Sequence, residues 1–227
     1  MWYFPGAGFL FTMIDATKLD DNTPVEDIDI VANPATESLL FRYLFASHWC
    51  KGKRVLDAAC GHGIGTKMLK ILGAKEVTGI DISEVAIDRA SDEQVDGVDF
   101  KIVDLCDDQE RMGLYDTIIS IETFEHLPPD KIDIYMNNLK KWCKPGGTII
   151  ITTPRRQTVE WKWNGGTHLM EYSIPEFKEI LIRHFGVNKC KILGIQEVDM
   201  GIGQLMSIIM NDRLYDARVL VAIYEHN

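Results

Sequence analysis

The chain has 227 residues, a length that suits one domain with modest additions. Apolar residues make up 46% of the sequence and charged residues 26%, an ordinary globular composition that excludes an intrinsically disordered chain. The net charge of −10 makes the surface repel phosphate backbones, so nucleic acid is disfavoured as a partner.

The cysteines are dispersed and odd in number, so they predict neither a disulfide framework nor a zinc site. They are Cys50, Cys60, Cys106, Cys143 and Cys190. A reducing, cytoplasmic location is the simplest environment for them. The apolar N-terminal stretch follows no positively charged region and is too short to span a bilayer, so neither a signal peptide nor a membrane anchor is expected.

Residues 1–33 show no periodic pattern and predict an irregular arm that could act as a lid. Residues 34–49 carry apolar side chains at helical spacing, and Gly52 follows them as a terminator. Strand-like and helix-like segments then alternate, which predicts a parallel sheet covered by helices on both faces. The predicted strands are 54–59, 76–81, 98–103, 115–121 and 148–153, and the predicted helices are 66–72, 84–90 and 130–143.

The pattern changes after the fifth strand. Residues 155–170 have no clear period and predict a long functional loop. Trp161 and Trp163 of this loop, together with Tyr172, could form a wall for an acceptor or could simply pack the loop onto the sheet. The remaining predicted elements are a helix over 174–185 and strands over 190–198 and 217–225, and residues 199–215 receive no assignment.

Chemistry-bearing residues end three successive strands. The first runs into a glycine-rich turn, DAACGHGIG (57–65), whose small residues let a ligand approach the backbone at a helix N-terminus, although a tight turn alone would also explain them. Asp81 ends the second strand, where a carboxylate can accept both hydroxyls of a ribose. Asp104 closes the third. Because the carboxyl ends of parallel strands meet at one edge, these residues predict a ligand crevice there.

Taken together, these motifs resemble the class I S-adenosylmethionine-dependent methyltransferases. The segments that carry the resemblance are VLDAACGHGIG (55–65), VTGIDIS (77–83), VDFKIVDL (98–105), YDTIISIETFEHL (115–127) and LKKWCKPGGTIIITTP (139–154). A dehydrogenase fits less well, because the turn lacks the G-x-G-x-x-G pattern. The flanking segments ESLLFRYLFA and THLMEYSIPEFKEIL are similar to the branch found among sugar, polysaccharide and small-molecule tailoring enzymes.

The resemblance implies an α/β fold, a three-layer sandwich around a mostly parallel seven-stranded sheet. This Rossmann-like methyltransferase fold has the strand order 3-2-1-4-5-7-6, with the last strand antiparallel. One methyltransferase domain would cover residues 1–227. It would comprise an N-terminal arm and helix (1–50), a cofactor-binding core (51–154), and a substrate-side loop with the C-terminal strands (155–227).

The resemblance also implies where S-adenosylmethionine would bind, with S-adenosylhomocysteine as the product. The residues at its methionine end would be Asp57, Ala59, Cys60, Gly61 and Gly63. Those at its ribose and adenine would be Asp81, Ile82, Asp104 and Leu105, and those beside the sulfonium would be Ile121 and Glu122. Arg42 would either reach the cofactor's carboxylate or lie at the surface. Ala59 departs from the family's commonest glycine, and its single methyl is expected to be tolerated.

The sulfonium already activates the methyl group, so the protein must hold an acceptor in line and, for a hydroxyl, remove its proton. His126 follows the fourth strand and His168 lies in the long loop, so both are candidate catalytic bases, although a loop-fixing hydrogen bond would explain each equally well. Glu122 and Glu125 could join His126 as metal ligands. No dense run of ligands supports this, and no metal is expected.

The function favoured by the sequence is methyl transfer to a small polar acceptor, with an oxygen of a sugar or of a hydroxylated metabolite as the first choice. One alternative is a methyltransferase for an RNA base or a protein side chain. Another is a non-catalytic cofactor-binding or scaffold subunit. A small-molecule substrate is expected and a membrane partner is not. The oligomeric state is left open, with a homodimer among the options.

Overall fold

The computed structural model describes residues 34–158, 160, 166–199 and 204–226. The arm predicted over residues 1–33 lies outside this described part, and so do Trp161 and Trp163. The lid role of the arm and the acceptor-wall role of the two tryptophans therefore stay predictions.

Helices and strands alternate along the first two thirds of the chain, as the sequence predicts. The helices are α1 (Pro34–Ala46), α2 (Ile64–Ile71), α3 (Glu84–Ser91), α4 (Ile132–Trp142) and α5 (Ile174–Phe185). The strands are β1 (Arg54–Ala58), β2 (Glu76–Asp81), β3 (Val98–Ile102), β4 (Tyr115–Ile121), β5 (Cys143–Pro154), β6 (Cys190–Asp199), β7 (Gln204–Ile209) and β8 (Val219–Glu225). Within the described ranges, no helix is long and apolar enough to cross a membrane.

The strands form one sheet in the order β3-β2-β1-β4-β5-β8-β6-β7. Strands β1 to β5 pair in parallel, whereas β8 pairs antiparallel with both β5 and β6. Apart from β7, this is the predicted order 3-2-1-4-5-7-6 with an antiparallel last strand, so the fold prediction is confirmed. Strand β7 is an addition at the sheet edge, paired antiparallel with β6, and it falls in the stretch that received no assignment.

Strand β5 begins earlier than the sequence predicts. Cys143 already pairs with Tyr115, and a register shift precedes the pairing of Thr117 with Thr148. The segment Lys-Pro-Gly-Gly at 144–147 therefore ends helix α4 as expected but continues as an irregular start of the strand. Its proline and glycines disrupt the regular ladder without breaking the pairing of the two strands.

The sheet is covered on both faces, which explains why its central strands are continuously apolar. On one face, Leu56 of β1 belongs to a buried cluster with Phe124, Tyr135 and the α5 residue Phe177. On the other face, neighbouring Val55 joins a second cluster that includes Tyr43 of α1. The carboxyl ends of β1, β2 and β4 are thereby fixed at one edge of a rigid layer.

The docking of α1 on the turn after β1 makes a stability prediction. Gly65 lies against the aromatic ring of Tyr43, and an added Cβ would overlap that ring. We expect Gly65→Ala to lower the free energy of unfolding by about 1–3 kcal/mol, measured by urea denaturation, because the packed ring or helix must shift. Gly113→Ala is the matched control. Its Cβ would approach only the movable guanidinium of Arg54, at 3.2 Å, so it should change stability by less than about 0.5 kcal/mol. Equal losses in both variants would contradict the account.

Candidate active site

Asp57 is the buried centre of the site. Its carboxylate is fully buried at the end of β1. It accepts hydrogen bonds from the Tyr43 hydroxyl at 3.1 and 3.2 Å and from Thr66 Oγ1 at 2.6 Å. Burial raises the pKa of Asp57 to about 6, although the two hydroxyl donors favour its charged form. Asp57 therefore links α1, β1 and α2. Its predicted role toward the cofactor would be to fix the position of the glycine-rich turn after β1.

The turn after β1 needs a left-handed backbone at several positions. Gly63 has a φ of 78° and caps α2, and a Cβ there would lie 2.6 Å from the Phe100 ring. Ala59 has a φ of 67°, a conformation that costs a non-glycine residue roughly 1–2 kcal/mol. The methyl group of Ala59 is thus accommodated, but its left-handed backbone conformation costs free energy, which the sequence alone could not show.

Asp81 ties the second strand to the same turn. Its Oδ2 accepts the backbone N–H of Gly61 at 2.9 Å, and its Oδ1 accepts that of Ser83 at 2.9 Å. The next side chain, Ile82, is 67% exposed beside this carboxylate, an uncovered apolar surface at a strand end. Asp81 and Ile82 therefore stand at the open edge where the sequence places the ribose and adenine.

The third strand's predicted residues lie at the same edge, since Asp81 pairs in register with Ile102. Asp104 is exposed, and its Oδ1 accepts the backbone N–H of Cys106 at 2.7 Å. Leu105 is buried, as is Cys60 in the turn after β1. Burial raises the pKa of the Cys60 thiol well above its ordinary range, so its sulfur is a neutral packing group.

Glu122 follows β4 with a φ of 51°, directly after the buried Ile121. Its Oε1 accepts a hydrogen bond from Thr152 Oγ1 at 2.8 Å and lies 3.5 Å from Nε of Arg42. Arg42 is buried and is not a surface arginine. The charge of Arg42 is balanced there by the carboxylate of Glu122, and its contact with the cofactor's carboxylate stays a prediction.

A cavity of about 410 Å³ opens beside this ion pair. Three of its lining side chains are arginines, which is notable in a chain of net charge −10. The lining residues are Arg42, Glu122, Pro154, Arg155, Gln157, Glu171, Arg218 and Val219. Arg155 is held by the backbone carbonyls of Tyr215 and Ala217, each at 2.8 Å. Arg218 is exposed, and its guanidinium has no ion pair or hydrogen bond within the described part of the chain.

The two candidate bases come together, although 41 positions separate them in sequence. The rings of His126 and His168 lie 5.0 Å apart, edge to face. The Nδ1 atom of His126 is 3.0 Å from the Thr167 carbonyl oxygen, and Nδ1 of His168 is 2.9 Å from Oε1 of Glu171. Since Glu171 also lines the cavity, His168 is connected to the cavity wall by one hydrogen bond.

Glu125 lies beneath the two histidines. It is fully buried, and its Oε2 accepts a hydrogen bond from Thr153 Oγ1 at 3.0 Å. Burial raises the pKa of Glu125 to about 8, and the neighbouring charge of Glu122 adds to this rise. Its backbone carbonyl accepts the N–H groups of Leu169 and Met170, which anchors the loop carrying His168.

Sequence reasoning missed several residues of this site. In the sequence, Tyr43 is one of the apolar positions of the predicted helix over residues 34–49, and no motif marks Arg155 or Arg218. The two arginines are brought together only by the tertiary fold, in which the N–H of Arg155 donates to the carbonyl of Arg218 where β5 and β8 pair. Tyr172, by contrast, is buried with its ring 4.8 Å from that of Phe124, so it packs the core and does not form a wall for an acceptor.

The buried Asp57 predicts a pH-dependent stability. Its folded pKa of about 6 lies above its ordinary value of 3.8, so between these values the folded protein keeps a proton that the unfolded chain has lost. Stability from this group is therefore greatest below about pH 4 and falls as pH rises through about 6. We expect the unfolding free energy of wild type minus that of Asp57→Asn to decrease by about 2–3 kcal/mol from pH 4 to pH 7, in urea titrations. Asp99→Asn, at an exposed position of β3, is measured in the same titrations as the control. A flat difference for Asp57→Asn would contradict the assignment.

Comparison with known proteins assigns this architecture to a family. A family model described as a methyltransferase domain matches residues 39–189, from α1 to the start of β6. Among curated relatives, the ubiquinone biosynthesis O-methyltransferase of Marinobacter nauticus is 34% identical over 111 residues, which are 46% of this chain and 45% of that protein. The protein of the same name from Idiomarina loihiensis is 33% identical over 116 residues, 48% of this chain and 46% of that protein. The chain thus spans less than half the length of these relatives.

Solved structures agree on the fold. DhpI, in its complex with SAH, has a TM-score of 0.63 at 20% identity and is covered over 91% of its chain by 89% of this one. A TehB-like SAM-dependent methyltransferase from Corynebacterium glutamicum has a TM-score of 0.55 at 19% identity, covering 83% of this chain and 87% of that one. The family model covers the turn, the strand ends and both histidines, and on that ground the chain belongs to the S-adenosylmethionine-dependent methyltransferase domain family.

Proposed function

We propose that this chain transfers a methyl group from S-adenosylmethionine to a hydroxyl oxygen of a small acceptor that carries an anionic group. The observation that carries the acceptor class is the arginine-lined cavity beside Glu122. A sugar acid and a hydroxylated aromatic acid both fit this description, and the relatives named as O-methyltransferases favour oxygen as the methylated atom.

The residues at the strand ends suit the cofactor. Asp81 would accept the ribose hydroxyls, and the uncovered face of Ile82 would pack against the adenine, with Asp104 and Leu105 along its edge. The turn from Ala59 to Gly63 would meet the methionine end. When bound, S-adenosylmethionine supplies a methyl group already activated by its sulfonium, so the protein's task is positioning.

The arginines of the cavity would complement the negative charge of the acceptor. Arg42 is already paired with Glu122, and Glu171 is hydrogen-bonded to His168. Within the described part of the chain, the other two lining arginines, Arg155 and Arg218, form no ion pair with a carboxylate. Arg155 is locked by backbone carbonyls and can present a fixed guanidinium face, whereas Arg218 is exposed and can close on a ligand. The exposed guanidinium of Arg218 favours a carboxylate, which arginine binds with paired hydrogen bonds, and Arg155 adds positive charge beside it.

His126 and His168 would act on the acceptor hydroxyl. Nδ1 of each ring is held, by the Thr167 carbonyl and by Glu171, which fixes the ring orientation and leaves Nε2 as the nitrogen that would take the proton. The acceptor's proton would leave toward these nitrogens as its oxygen gains the methyl group. Glu171 would fix the position of His168 relative to the cavity, because it hydrogen-bonds to His168 and also lines the cavity.

The acceptor class is tested with methyl-labelled S-adenosylmethionine and pairs of hydroxylated carboxylic acids and their neutral amides. We expect transfer to the acids to exceed transfer to the matched amides by about tenfold or more, the size of one charge-assisted contact. Arg218→Gln should raise KM for the acid by about tenfold, leave the amide unchanged and leave cofactor affinity unchanged. Arg183→Gln, an exposed arginine of α5, is the control.

Three results would contradict the proposal. Equal transfer to acids and amides would show that the acceptor needs no anionic group. A loss of cofactor affinity in Arg218→Gln, measured by calorimetry, would reassign the arginine cavity to the carboxylate of the cofactor itself. Methylation of an RNA or of a protein side chain in preference to both small-molecule sets would replace the acceptor class altogether.

A further inference from the structure

Arg156 is an arginine to which the proposed function assigns no role, although its side chain is only 9% exposed. It follows the cavity-lining Arg155 directly in sequence. Its backbone N–H donates to the carbonyl of Tyr172 at 3.0 Å, and the ring of Tyr172 is fixed by packing on Phe124. The end of β5 is thereby joined to the loop before α5.

The guanidinium of Arg156 extends this connection to the first turn of α5. Its Nη2 atom lies 3.0 Å from Oε1 and 2.9 Å from Oε2 of Glu176, so one nitrogen contacts both carboxylate oxygens. The same carboxylate accepts the backbone N–H and the hydroxyl of Ser173, at 2.8 and 2.6 Å, in the capping box that begins α5. Arg156 therefore holds the start of the helix as well as the loop.

Glu171 immediately precedes the residues that Arg156 holds. Its backbone carbonyl lies 3.5 Å from Nη1 of Arg156, and its carboxylate both lines the cavity and contacts Nδ1 of His168 at 2.9 Å. Arg155 lines the same cavity and forms a backbone bridge with Tyr172. Contacts of Arg156 and its neighbour thus set the distance between two parts of the cavity wall, and a displacement of about 1 Å in such a wall is enough to impair catalysis.

The guanidinium of Arg156 is not fully satisfied by these contacts. Its Nε atom is inaccessible to solvent and makes no hydrogen bond within the described residues. A buried donor without a partner costs free energy, and a buried ion pair can often be replaced by apolar side chains without loss of stability. A stabilising role alone therefore explains this arginine poorly, and the segment that it holds in place explains it better.

We propose that Arg156 is a positioning residue that fixes Glu171 relative to Arg155 by anchoring the loop before α5. His168 is fixed with them through its contact with Glu171. The effect on the acceptor rests on the proposed function. Cofactor affinity is independent of Arg156, because the strand ends that suit the cofactor belong to β1, β2 and β3.

The first test removes the contact between Arg156 and Glu176 in the full chain. We expect Arg156→Gln to raise KM for a hydroxylated carboxylic acid by about tenfold, with the cofactor dissociation constant from calorimetry unchanged. Glu176→Gln keeps a residue that can complete the capping box and should give the same rise. The double variant should be no worse than either single change, because both remove one contact. Arg156→Lys should restore KM to within about threefold of wild type, because an ammonium can replace the single contacting nitrogen.

Arg183→Gln is the matched control for these variants. Arg183 also pairs with an acid, Asp133 at 3.2 Å, but it lies in the last turn of α5, at the opposite end from Glu176. This variant should leave KM for the acid and the affinity for the cofactor as in wild type.

A second readout needs neither acceptor nor cofactor. A carboxylate only accepts, so the contact with Glu171 requires the proton of the neutral His168 ring to be on Nδ1. We expect the imidazole nitrogen resonances of wild type, recorded at alkaline pH, to show His168 mainly in this form. Arg156→Gln should raise the ratio of the Nε2–H form to the Nδ1–H form by about fivefold or more, the size of one lost charge-assisted hydrogen bond. Arg156→Lys and Arg183→Gln should keep the wild-type spectrum.

The outcomes distinguish this inference from the proposed function. A wild-type KM in Arg156→Gln, additive increases in the double variant, a weakened cofactor affinity or an unchanged His168 spectrum would each overturn the positioning role. If the wild-type chain methylates no hydroxylated acid, the proposed function fails, and the His168 spectrum alone decides whether Arg156 positions the loop. Arg156→Gln is expected to fold, because the Glu176 side chain that it leaves without a partner is 41% exposed and can be solvated.

Discussion

The carboxylate of Asp57 holds the site together. It has no exposed surface, and its oxygens take hydroxyl hydrogen bonds from α1 through Tyr43 and from α2 through Thr66. A buried carboxylate lowers the stability of the fold unless it accepts hydrogen bonds. Both helices therefore pack against the end of β1, where their hydroxyl groups reach Asp57. The glycine-rich turn between them is thereby fixed, and Asp81 adds a bond from the second strand to the backbone of Gly61.

The same edge of the sheet is divided between two tasks. The ends of β1, β2 and β3 provide the turn and the carboxylates that suit a nucleoside. The ends of β4 and β5, with the loop before α5, provide Glu122, the histidine pair and the arginine-lined cavity. Because the strands are parallel and paired in register, the two halves are adjacent, and a donor held on one side can face an acceptor on the other.

The sequence predicts what depends on local periodicity. The strand ends near Asp57 and Asp81 follow from the alternation of strands and helices, and the sheet order follows from the family resemblance. The edge strand β7 lies in the stretch without an assignment, and its place is set by its pairing with β6, a contact that local periodicity does not show.

The remainder of the site depends on contacts between distant segments. The loop before α5 folds back because the N–H groups of Leu169 and Met170 donate to the carbonyl of Glu125, and this brings His168 beside His126. Arg155 and Arg218 are neighbours because β5 and β8 pair antiparallel, although the two strands are far apart in sequence. The burial of Arg42 against Glu122 likewise requires the docking of α1 on the sheet, which spacing along the chain does not reveal.

The central claim is that the edge formed by β1 and β2 binds S-adenosylmethionine through Asp81. Thermal unfolding with S-adenosylmethionine or its demethylated product, at about 100 times the dissociation constant, should show roughly 2.7 kcal/mol of stabilisation. Asp81→Ala should lose that stabilisation, whereas Asp99→Ala, an exposed acid on β3, should keep it. No shift in the wild-type chain with either compound, or an undiminished shift in Asp81→Ala, would contradict the account.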